Sequence, residues 1–190
     1  MLSTLIELQR LKRLDRTGWT LRGLPNGTES VAAHSFGVCV TAMLIADQVR
    51  ERGVLIDTEK VLRMALVHDW AETRVGDMPK TATEYFGKDA RTSAEIAAFA
   101  DIVEGTGRAM LYRAGHEEYE TRDSLEARVV KAADIIDLLV QALALERAGA
   151  RGLDEFWTVL DGDCFRLEGA AEEVVSDLVQ ALRAERRKIQ

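Results

Sequence analysis

Proline is scarce, with two residues in 190, and so is cysteine, also with two. Few prolines leave long helices uninterrupted, and the abundance of Ala, Leu, Glu and Arg favours them. Cys39 and Cys164 form no metal-type spacing, and a reduced, cytoplasmic setting is the expectation. Positive charge is also in short supply: 25 Lys and Arg stand against 32 Asp and Glu, for a net charge of −7. That balance argues against a nucleic-acid polymer or an anionic membrane as partner. It leaves room for a small anionic substrate in a locally positive pocket. No apolar run is expected to span a bilayer. The start, Met1-Leu2-Ser3-Thr4-Leu5-Ile6-Glu7, lacks a basic region followed by an apolar stretch and a cleavage site, so no signal peptide is expected.

An apolar share of 47% is enough for a core, and 190 residues suit one domain. Periodicity predicts an all-α architecture. Residues 1–14 read as an amphipathic helix through Leu2, Leu5, Ile6, Leu8, Leu11 and Leu14, and residues 15–27 as a loop. Ser30 can cap a helix running to about Arg52, with Val31, Val38, Ala42, Ile45, Ala46 and Val49 inward. Asp57 can cap the next, which is expected to carry Val61, Leu62, Ala65 and Leu66 inward and to continue through Glu72. Short helices are expected over 81–87 and 108–115, and a longer one from Asp89 to Val103. Asp123 or Ser124 starts a helix to about Arg147, with Leu125, Val129, Ala132, Ile136, Leu139 and Leu143 as its stripe. Phe156 and Trp157 open an apolar patch that ends at Asp161-Gly162-Asp163, and a last helix covers about 168–188. Its basic end suits the negative pole of the helix dipole.

Leu66-Val67-His68-Asp69-Trp70-Ala71-Glu72 is the most chemically informative stretch. On one helix, His68 and Glu72, four apart, would share a face. A carboxylate beside a core-facing stripe is costly unless it is paired or binds a cation, and His with Asp suits a divalent ion of zinc, manganese, cobalt, nickel or iron type. An adjacent pair rarely fills a coordination sphere. His34 is a candidate further ligand, because the chain has three histidines in all. His116, in Gly115-His116-Glu117-Glu118, reads instead as part of a solvated edge. Asp77 falls on the turn made by Gly76 and Pro79, as an ordinary turn residue or as a group reaching back over a metal. Asp134 lies in an apolar passage and needs a partner, either Lys131 one turn before it or a metal. In the early loop, Arg16 offers a planar fork for phosphate and Trp19 a flat face for a base or sugar. The alternative is a Trp19 that plugs the core and a solvated arginine.

His34, His68-Asp69 and Asp134 stand in the order H…HD…D on three expected helices. This order resembles the HD-domain metal-dependent phosphohydrolases. Glu29-Ser30-Val31-Ala32-Ala33-His34-Ser35 looks like that family's first-histidine segment. Ala65-Leu66-Val67-His68-Asp69-Trp70-Ala71-Glu72, Gly76-Asp77-Met78-Pro79, Arg16-Thr17-Gly18-Trp19 and Ser124 through Asp134 look like the branch of the 5′-deoxynucleotidases and HD-domain-containing protein 2. The resemblance covers about residues 8–160.

The resemblance implies a single-domain helical bundle of the HD type. It implies one divalent metal ion (Mn, Co, Ni, Zn, Fe or Mg) held by His34, His68, Asp69 and Asp134. Glu72 and Asp77 would be the acid–base pair, Arg16 would bind phosphate, and Trp19 would crowd the sugar. The expected activity is hydrolysis of (deoxy)nucleoside 5′-monophosphates. The alternatives are a cyclic-nucleotide or nucleotide-polyphosphate hydrolase of the same family, or a non-catalytic metal- and nucleotide-binding scaffold. Relatives in the branch are commonly dimers, which points to a homodimer, with Phe156 and Trp157 as a suitable exposed patch.

Overall fold

The computed structural model describes residues 1–162 and 164–189. Asp163, part of the expected break after the Phe156–Trp157 patch, lies outside them. The helices in chain order are α1 (Leu2–Leu8), α2 (Thr17–Thr20), α3 (Val31–Glu51), α4 (Thr58–Val67), α5 (Glu72–Val75), α6 (Lys80–Phe86), α7 (Lys88–Val103), α8 (Ala109–Thr121), α9 (Leu125–Arg147), α10 (Asp154–Trp157) and α11 (Gly169–Arg187). Among the described residues no strand forms, and the all-α expectation holds. The chain divides into two compact units, Met1–Ser35 with Val67–Glu120, and Phe36–Leu66 with Thr121–Gln190.

The first unit is centred on a cluster of Val67, Ala71, Ala98, Phe99 and Val103, flanked by Trp70, Val75, Ala109 and Tyr112. Burying Phe99 alone contributes on the order of 2 kcal/mol. The expected apolar face of residues 1–14 is corrected: Leu2, Leu5 and Ile6 are exposed, whereas Thr4 is buried and its Oγ1 donates to the Ile102 carbonyl at 3.0 Å. The helix also stops at Leu8 and passes into a tighter turn over Gln9–Lys12. An isolated antiparallel bridge between Asp15 and Ser30 closes the following loop. The Val31 N–H donates to the Leu14 carbonyl at 2.8 Å and the Arg16 N–H to the Glu29 carbonyl at 3.0 Å, pinning residues 14–16 beside the start of α3. Ser30 Oγ accepts from the Ala33 N–H at 3.1 Å, the cap expected from the sequence.

In the second unit Val38, Ala42, Ile45, Ala46 and Val49 of α3 are all buried, as periodicity requires. By length and composition α3 is long and apolar enough to cross a membrane, which corrects the expectation that no apolar run reaches that size. Ser124 caps α9 by accepting from the Ala127 N–H at 3.1 Å. Val129, Ala132, Ile136, Leu139 and Leu143 are buried along it. A Cβ at Gly37 would lie 2.0 Å from Asp137 Oδ1, so a residue with a side chain there would have to displace that carboxylate. Between α9 and α11, Arg186 places two N–H groups on Glu146, at 2.7 and 3.0 Å, and a further bond of 2.6 Å on Asp154. Its guanidinium carbon sits 4.6 Å from the centre of the Trp157 ring. Trp157 is buried and Phe156 partly so, which corrects the expectation of an exposed patch there.

Candidate functional site

The His68–Glu72 stretch is not one helix. Asp57 caps α4 through the Lys60 N–H at 3.0 Å, with Val61 and Ala65 buried but Leu66 exposed. The helix ends at Val67. From there the backbone bonds run to the third residue back: Trp70 to Val67, Glu72 to Asp69 and Thr73 to Trp70, each at 3.1 Å. Such a turn has about three residues per revolution, so residues three apart align and residues four apart do not. Asp69 and Glu72 therefore share a face, in place of the expected pairing of His68 with Glu72. Gly76 then ends α5 at φ 78°, a conformation that favours glycine, and redirects the chain into Asp77.

Three donors converge in the first unit. Asp69 Oδ2 lies 3.2 Å from His68 Nε2 and 3.8 Å from His34 Nε2. The two imidazole rings are 5.6 Å apart, centre to centre, and both residues are buried. Tyr119 meets the His68 ring edge to face at the same separation of 5.6 Å. Arg16 enters from the bridged loop: its Nη1 is 3.4 Å from Asp69 Oδ2 and 4.0 Å from Asp77 Oδ1. Burial alone would raise the Asp69 carboxyl. The charges of His68, then of His34 and Arg16, outweigh it and hold that carboxyl well below its ordinary range.

Glu72 is the opposite case. It is 5% exposed, and its Oε2 accepts no hydrogen bond among the described residues. Burial first, then the charges of Asp69 and Asp77, push its carboxyl well above the usual range, against the pull of Arg16 and Arg91. Two carboxyls three residues apart are shifted in opposite directions: one is a standing anion, the other a group of high proton affinity. Two imidazoles and an ionised carboxylate are a donor set suited to a divalent transition metal. The buried, unpartnered Glu72 oxygen is consistent with a site built to receive something more than the chain itself supplies.

Of the residues singled out from sequence, His34, His68, Asp69, Glu72, Asp77 and Arg16 belong to this one unit. Trp19 is 1% exposed and donates from its indole N–H to Glu29 at 2.7 Å, so it plugs the core here and shows no open ring face. Asp134 is on α9 in the other unit, where Lys131 Nζ donates to it at 2.7 Å. Three residues were not foreseen. Thr17 bonds Asp77. Arg91, held by Glu95 at 2.7 Å and by Thr83 at 3.4 Å, directs positive charge at Glu72 and Asp77. His116 is corrected from a solvated edge to a buried residue stacked on Phe99. The Arg91–Glu95 pair, four apart on one helix, was the available signal for the second.

An all-helical scaffold that brings two imidazoles and an ionised aspartate together beside an arginine defines a candidate metal centre for an anionic substrate. The chain belongs to the HD domain family, whose model matches residues 8–159. It is 33% identical over 156 residues to the zebrafish (Danio rerio) protein named 5′-deoxynucleotidase HDDC2, a match spanning 80% of this chain and 74% of that protein. It is 35% identical over 138 residues to the human (Homo sapiens) protein of the same name, spanning 72% of this chain and 64% of that protein. A crystal structure of a protein from Pyrococcus horikoshii OT3 is 35% identical, with a TM-score of 0.83 over 97% of this chain and 99% of that one.

Proposed function

We propose that this chain is a divalent-metal-dependent phosphomonoesterase that converts (deoxy)nucleoside 5′-monophosphates to nucleosides and phosphate. The observation that carries the reading is Asp69 Oδ2, which faces two imidazole nitrogens at 3.2 and 3.8 Å and the Arg16 guanidinium at 3.4 Å. The names of the relatives support the substrate class. One ion would be held by His34, His68 and Asp69, with Asp134 as the further ligand implied by the motif order; Mn, Fe, Co, Ni, Zn and Mg are the candidates. When bound, the ion supplies Lewis-acid charge to the phosphoryl group and makes water a better nucleophile.

The chain's own residues supply the rest. Arg16 clamps the phosphate oxygens with charge-assisted bonds. Glu72, with its raised proton affinity, takes the proton of the attacking water. Asp77 assists departure of the nucleoside oxygen, whereas the buried Trp19 acts only as packing beneath the Arg16 loop. The working form is proposed to be a cytoplasmic homodimer; in the second unit Phe36, Leu44 and Val140 are exposed apolar side chains available to an interface.

The test is phosphate release from nucleoside 5′-mono-, di- and triphosphates and cyclic nucleotides, with chelated protein resupplied with each metal. Metal-dependent release from monophosphates is expected, falling about 10²- to 10⁴-fold in Glu72→Ala. Release from another class would move the substrate. Silence with every metal while metal still binds would overturn the enzyme reading in favour of a scaffold.

A further inference from the structure

Asp77 sits on the connection between α5 and α6, outside any helix. A carboxylate there has no helical rotamer constraint, so its orientation must come from elsewhere. It comes from Thr17. The Thr17 backbone N–H donates to Asp77 Oδ2 at 2.5 Å. Thr17 Oγ1 lies 2.9 Å from the same oxygen and 3.0 Å from the Asp77 backbone carbonyl. A hydroxyl has one proton, so it serves either the carboxylate or the carbonyl at a given moment. Both choices tie Asp77 to the same residue. The other carboxylate oxygen, Oδ1, is the one within 4.0 Å of Arg16 Nη1.

We infer that Thr17 is a positioning residue: it commits Asp77 Oδ2 and leaves Oδ1 as the oxygen presented to the reacting groups. The inference rests on the reading of Asp77 as one of the acid–base pair. Thr17 adjoins Arg16 in sequence, and both groups engage Asp77. The phosphate-binding arm and the carboxylate are thereby fixed by one segment, residues 16–17, which the Asp15–Ser30 bridge anchors beside α3. A shift of that segment would move the clamp and the carboxylate together. Catalysis is sensitive to such placement, because a misplacement of about 1 Å can cost roughly 10²-fold in rate.

The test compares Thr17→Val, which keeps the shape and loses the hydroxyl, with Thr17→Ser, which keeps the hydroxyl. Both are measured in the wild-type and Asp77→Asn backgrounds with the best monophosphate substrate. Thr17→Val is expected to lower kcat about tenfold, the lower end for a hydrogen bond to a charged group because the backbone donor remains. KM should stay within about twofold and calorimetric Mn binding unchanged. Thr17→Ser should recover kcat to within about threefold. In Asp77→Asn the valine substitution should cost less than about twofold, because its effect runs through that carboxylate. Equal losses in Val and Ser, or the same tenfold loss in the Asn background, would overturn the inference and leave the functional reading intact. A wild type silent on all substrates would overturn both. If Thr17→Val melts early, Thr17→Ala, which also lacks the hydroxyl, is measured beside Thr17→Ser in both backgrounds and decides the matter by the same criteria.

Discussion

His116 lies flat against Phe99, with ring centres 4.1 Å apart and planes 19° from parallel. The imidazole is 3% exposed, which leaves little room for solvation of an imidazolium. Burial first, and then the nearby charge of His68, lower its pKa to about 4, with Asp69 pulling weakly the other way.

This has a consequence for stability against pH. The unfolded chain takes up a proton at His116 near pH 6.5, while the folded chain stays neutral there until about pH 4. Unfolding therefore gains protons between these values, and stability falls as pH falls through that window. Between pH 7 and 5 the loss amounts to roughly 2 kcal/mol from this residue. Urea unfolding of metal-free protein at the two pH values, beside His116→Phe, checks it. The variant should show the smaller drop by that amount; identical drops would refute the assignment.

Arg16 faces both Asp69 and Asp77, with its Nη1 3.4 Å from the one and 4.0 Å from the other, and the proposed function gives it the phosphate. Arg16→Lys keeps the charge and loses the planar pair of donors, so it is not a conservative change. It should lower kcat/KM about 30-fold, the equivalent of about 2 kcal/mol for a charge-assisted bond. Inhibition by inorganic phosphate should weaken in parallel. A kcat/KM within twofold of wild type would remove Arg16 from the phosphate site.

Arg186 is a structural counterpart in the second unit. Its side chain is 14% exposed and that of Glu146 is 11% exposed, so little water competes for the pair. Arg186→Met keeps an apolar stem but removes the guanidinium from over Trp157 and leaves Glu146 without that partner, at a cost of about 2 kcal/mol, below the range for a fully buried pair. The urea midpoint should fall accordingly and recover in part when Glu146→Gln is added. A midpoint that does not move would show the pair to be energetically idle.

Much of this was legible in the sequence for local reasons. Ser30, Asp57 and Ser124 cap the helices they were expected to cap, because an N-cap needs only one side chain and a backbone N–H three residues on. The buried stripes of α3 and α9 followed from periodicity alone. The all-helical fold followed from periodicity, and the family from the H…HD…D order with the segments around it. What escaped was set by geometry that periodicity does not encode. The turn after Val67 uses third-residue bonds, and nothing in the composition of His68-Asp69-Trp70-Ala71 distinguishes that from a continuing helix. The acidic neighbours of His116 point to a solvated edge but do not share its face. On a helix, Glu117 faces away from the side that His116 and Tyr119, three apart, both bury. A reading of Tyr112, His116 and Tyr119 as one stripe would have found it. Trp19 and the Thr17 clamp depend on the Asp15–Ser30 bridge, a contact that no local signal announces.

The third-residue bonding between Val67 and Thr73 makes this stretch tolerant in one respect and brittle in another. Each residue there advances the chain by about 120°. Replacing a side chain leaves the phase of the turn intact. Adding or deleting one residue between Asp69 and Glu72 would swing the Glu72 carboxyl a third of a revolution away from the anion beside it, even with every side chain preserved. Among relatives of this chain, the spacing of those two acids should be the part of the sequence where drift in length is not accepted.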